Sequence, residues 1–110
     1  MNYQHQDLAA GRWSQLSFLE QMANIGSEVE RALNWQAKNN EVYCRKASER
    51  ALELIDLTLQ SVKNFARLKE LTRIREALVD YFEGTNEYGS TRELWQKYFA
   101  CFTYAARKNF

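Results

Sequence analysis

No proline occurs in the 110 residues, and glycine occurs four times, at positions 11, 26, 84 and 89. Proline locks φ and removes an amide donor, so it interrupts helices and marks turns. A chain without it is free to run long helices joined by short loops, and the apolar residues recur here at helical spacing. The expected fold class is therefore all-α, a single-domain antiparallel bundle of about four helices. A chain of this length hides roughly two thirds of the surface its unfolded form exposes, enough for one core without metals or disulfides. With 45% hydrophobic and 14% aromatic residues, apolar area is in good supply and disorder of the whole chain is excluded.

The helices are legible from their faces. Residues 1–13 are mostly polar and are expected as a flexible arm, with Trp13 docking on the bundle formed by residues 14–110. Ser17-Phe18-Leu19-Glu20 has the spacing of a capping box and opens the first helix. Phe18, Met22, Ile25, Val29, Ala32 and Leu33 share one stripe at about 100° per residue. The helix fades at Lys38-Asn39-Asn40, since asparagine tolerates a left-handed helix end. Gly26 inside it costs about 1 kcal/mol relative to alanine, which a close helix crossing would explain. The second helix runs from about Glu41 to Val62, with a face so wide that it is central or meets another subunit. The third spans about Phe65 to Phe82, with Leu68, Leu71, Ile74, Leu78, Tyr81 and Phe82 inward. After a loop at Glu83–Gly89, Ser90-Thr91-Arg92-Glu93 repeats the capping-box spacing. The fourth helix is expected to face inward with Leu94, Trp95, Tyr98, Cys101, Phe102, Ala105 and Ala106. A tetratricopeptide-like pair is the rival architecture, but the helices are too long for a 34-residue repeat and no internal repetition is found.

The residue types that common chemistries need are missing or misplaced. His5 is the single histidine and lies in the arm, which excludes histidine triads, two-histidine zinc sites and a di-iron centre. No phosphate loop or glycine-rich dinucleotide turn is present. Glu83, Asn86 and Glu87 lack the spacing of a calcium loop. No catalytic, metal or cofactor site is therefore expected, and the chain is read as no enzyme. Cys44 and Cys101 fall on apolar faces and are expected as buried reduced thiols, which places the protein in the cytoplasm. No apolar run approaches the ~20 residues that span a bilayer, and the N-terminus lacks the pattern of a signal peptide.

Two features stand out. The first is charge where the face is apolar: Arg67 and Arg75 project within about 40° of the line through Leu71 and Leu78. An arginine against a core needs a carboxylate, so a buried ion network is expected from Arg67, Arg75, Glu28, Asp56 and Glu53. The second is surplus apolar surface at Tyr43, Leu54, Leu57, Phe99 and Tyr104, expected as an interface. Fifteen Lys and Arg against fourteen Asp and Glu leave a net charge of +1, which argues against coating nucleic acid by charge alone. Arg67, Lys69 and Arg73 form the candidate patch for RNA or DNA, although on the helix wheel they are not one stripe.

The segments 20–31 (Glu20 to Arg31), 50–57 (Arg50 to Leu57), Arg67-Leu68-Lys69-Glu70-Leu71 and the Asn86-Glu87-Tyr88 loop resemble an uncharacterised family of short bacterial proteins. The likeness covers about residues 13–107. It implies a bacterial, cytosolic, stand-alone domain and no mechanism. A broader likeness of architecture links the chain to small four-helix-bundle accessory proteins, some of which form rings and assist nucleic-acid machinery. The expected function is a non-enzymatic interaction or accessory module that self-associates or docks on a protein partner, without a membrane and without a cofactor. The alternative is an accessory protein that binds RNA or DNA through a patch assembled from several helices.

Overall fold

The structure, a computed structural model, describes residues 11–108. The first ten residues of the expected arm, His5 among them, lie outside the described residues. A 3₁₀ turn at Trp13–Gln15 leads into four helices: α1 (Phe18–Ala37), α2 (Glu41–Ser61), α3 (Phe65–Phe82) and α4 (Arg92–Lys108). No strand occurs among the described residues, and the fold is the expected all-α four-helix domain.

Side-chain caps set most of the boundaries. Ser17 Oγ accepts from the Glu20 amide at 3.1 Å, and Glu20 Oε1 accepts from the Ser17 amide at 3.0 Å, so the first capping box forms. Those bonds hold the Glu20 carboxyl below its usual range. Asn39 takes the left-handed conformation at φ 59°, as expected for the end of α1. Asn40 and Asn64 cap α2 and α3 by accepting from the amides of Tyr43 and Arg67. The second capping box does not form. Ser90 is tied to the loop instead, its amide and carbonyl both bonded to the Asn86 side chain at 2.9 Å. The start of α4 is therefore held by Thr91, whose Oγ1 accepts from the Leu94 amide at 3.1 Å. The same loop is gathered by Asp80, whose carboxylate accepts from the amides of Glu87 and Tyr88.

α1 lies between α2 and α4, and α2 also carries α3 and the Trp13 turn. Met22, Ile25, Val29 and Leu33 of α1 meet Leu54 and Ile55 of α2 and Trp95 and Phe99 of α4 in one core. At Gly26 a Cβ would sit 2.8 Å from the Phe99 Cβ, so the close crossing expected there is the contact of α1 with α4. Trp13, at the end of the expected arm, is buried; its indole N–H donates to Thr58 Oγ1 at 2.9 Å and its carbonyl accepts from Gln21. α3, like α4, buries only two of its side chains. Leu71 and Leu78 point inward as expected, Ile74, Tyr81 and Phe82 are half-buried, and Leu68 is exposed.

Candidate interaction surfaces

The expected ion network divides into two separate clusters. Arg75 forks onto Asp56 of α2, Nε to Oδ1 at 2.7 Å and Nη2 to Oδ2 at 3.3 Å. Both side chains keep 39% exposure, so this pair lies at the rim of the core and is not buried. The hydrogen bond to Asp56 raises the Arg75 pKa, burial opposing it. Glu28 serves different partners, Arg31 one turn along α1 at 3.2 Å and Arg50 of α2 at 3.4 Å. Glu53 is half-buried on α2. Arg67 does not join either cluster. It is exposed, and its guanidinium sits 4.4 Å from the Phe18 ring centroid, because the first turn of α3 lies beside the start of α1.

Three of the five expected interface residues belong to the core. Leu54 and Leu57 are buried in the same core cluster as Trp13, whose turn packs on α2. Phe99 is buried against Gly26, where the missing side chain of α1 admits it. α4 is consequently turned from its expected orientation by most of one residue step of about 100°. Trp95 and Phe99 form its inner line, while Leu94 and Cys101, both expected inward, are exposed. Tyr98 is half-buried and donates its hydroxyl to Glu70 of α3; burial and then Glu70 push its pKa up. Cys44 is half-buried, with its thiol pushed up by burial, and both cysteines are free. Tyr43 and Tyr104 remain on the surface, 46% and 68% exposed.

Tyr104 stands at a groove of about 550 Å³ between α1 and α4. Small residues line it, Gly26, Ser27, Ala100 and Thr103, with Glu30 and Arg107 as its charged members. Glu30 accepts from Gln96 at 3.0 Å and lies 3.9 Å from Arg92. Arg107 has no ion pair among the described residues. Trp95 also lines the groove, and its buried indole N–H has no acceptor among the described residues.

A second surface, which the sequence reading did not single out, lies at the turn between α1 and α2. Trp35 and Tyr43 pack at 4.9 Å between ring centroids, tilted by 59°. Lys38 Nζ lies 5.1 Å from the Trp35 ring and Lys46 Nζ 5.7 Å from the Tyr43 ring. The signal in the chain is a repeated aromatic-x-x-Lys spacing, Trp35 to Lys38 and Tyr43 to Lys46, which on a helix sets each lysine beside its ring. The α3 patch gains less. Lys69 and Arg73 are exposed, but Arg67 is drawn off to Phe18.

Among the described residues, no three His, Cys, Asp or Glu side chains are grouped to hold a metal ion. No described helix is long and apolar enough to cross a membrane. Comparison with family models, curated proteins and solved structures finds no match to this chain.

Proposed function

We propose that this domain is a non-enzymatic interaction module that pairs with a second copy of itself through the α1–α4 groove. The observation that carries this reading is the groove itself: the small, accessible residues Ser27, Ala100 and Thr103 in its lining beside a tyrosine left 68% exposed. Small residues let a second backbone approach closely, and an exposed aromatic beside such a lining has apolar area to bury. The groove also bears both signs of charge, Glu30 and Arg107. A two-fold axis across it would set the Arg107 of each copy toward the Glu30 of the other, the reciprocity a symmetric dimer needs.

Sedimentation equilibrium over a wide concentration range tests this. The expected result is a reversible dimer that Ala100→Glu, a change at an exposed position, converts to a folded monomer. A wild-type chain that stays monomeric at the highest attainable concentration overturns the reading.

A further inference from the structure

We infer that the α1–α2 turn carries a binding site for single-stranded nucleic acid, built on the Trp35–Tyr43 ring pair and the cations around it. This site is separate from the α1–α4 groove and does not depend on the dimer. Arg31 and Trp35 of α1 and Lys38, the residue just past its end, follow at helical spacing along one side; on α2, Tyr43, Lys46 and Arg50 do the same. The rings meet across the two helices, and one turn further Glu28 joins Arg31 to Arg50. Four cations and two rings therefore share one two-helix face with the acids Glu28 and Glu53. Glu28 is already engaged by two arginines and is 13% exposed, so it presents little free negative charge. Arg31 keeps 53% of its side chain exposed, and Lys38 and Lys46 are exposed.

The chemistry of the face favours one class of ligand. An unpaired strand offers a phosphate to each cation and a flat base to each ring, and stacking on aromatic side chains is indifferent to sequence. The ammonium groups now resting near the rings are mobile on long stems, free to move to phosphates as bases take their places. An acidic peptide would use the cations and leave the rings idle. Duplex DNA would offer its backbone but keep its bases stacked away from the rings.

The fold supplies its own reporter. Of the three tryptophans, Trp13 and Trp95 are 3% and 5% exposed and Trp35 is half-buried, so Trp35 is the one most open to an added base. The test titrates the full chain with oligo(dT) and oligo(U) at low salt, reading tryptophan quenching alongside the anisotropy of labelled strands. Duplex DNA and poly-glutamate are run in parallel. The expected result is quenching by both single strands, with affinity that falls steeply as salt rises. Lys38→Gln combined with Lys46→Gln should weaken binding about tenfold or more and shrink the log–log salt slope by about 1.4, two phosphate contacts at about 0.7 each. Trp35→Phe should keep binding in the anisotropy while abolishing the quench; a quench that survives this change overturns the assignment. No binding at low salt, binding without quenching, or equal quenching by poly-glutamate or duplex also overturns it. A preference for oligo(U) over oligo(dU), which differ only in the sugar, upholds the site and adds contact to the 2′-hydroxyl.

Discussion

Two helices of nearly equal length, α1 and α3, are held in place by different forces. Seven of the 20 residues of α1 are buried, against two of the 18 of α3. α1 is gripped on both sides, by α2 along one flank and by α4 where Phe99 fills the space over Gly26. α3 buries Leu71 and Leu78, rests Ile74, Ala77, Tyr81 and Phe82 half-buried on the core, and is tied further by long polar side chains. Arg75 reaches Asp56, Tyr98 reaches Glu70, Tyr81 reaches Gln36, and Arg67 covers Phe18. Burial is cumulative and resists local change, whereas a partly exposed ion pair contributes little by itself. The difference teaches that a domain of four similar helices has a deeply buried axis and a more lightly buried flank. Both proposed surfaces draw on the buried axis, where α1 contributes one wall to each.

This contrast can be broken or sharpened by substitution. The largest effect is expected at Trp13, because it is buried, covers α2 and satisfies Thr58. Trp13→Ala should cost about 3–5 kcal/mol, measured by urea unfolding. A loss under 1 kcal/mol would mean that the turn is not part of the core. Gly26→Ala comes next. A Cβ 2.8 Å from the Phe99 Cβ forces α1 and α4 apart, which costs about 1–3 kcal/mol. Alanine is the better helix former by about 1 kcal/mol, so net stabilisation would show that the crossing yields easily. The smallest effect is expected on the flank. Asp56→Asn should lower global stability by about 1 kcal/mol or less, since the pair is 39% exposed. Hydrogen exchange should nevertheless rise in the α3 amides before those of α1, because weakly buried elements open first. Uniform exchange across all helices would erase the distinction between axis and flank.

Much of this could be read from the chain, and the failures have a common cause. The four helices, the Ser17–Glu20 cap, the left-handed end near Asn39 and the tight crossing at Gly26 follow from local chemistry. They depend on residues within a turn of one another, or on the meaning of a single missing side chain. The fate of the surplus apolar residues did not follow. Leu54 and Leu57 were taken into a core that also holds Trp13, some forty residues away in sequence, and Phe99 packs inward against a glycine on another helix. The arginines of α3 share that lesson: periodicity placed both Arg67 and Arg75 near the core line, but Arg75 pairs with Asp56 whereas Arg67 sits on the Phe18 ring. The Trp35–Tyr43 cluster was legible as spacing, yet its significance required α1 and α2 to fold back and bring the rings to 4.9 Å. What the sequence by itself determined is the set of helices, their main caps and where one backbone must pass close to another, since these are settled over short distances along the chain. Which faces are covered, which charges pair and which surfaces remain open was decided only by the tertiary structure. Those outcomes depend on the rotation of each helix about its axis, and that angle is set by packing against neighbours remote in sequence.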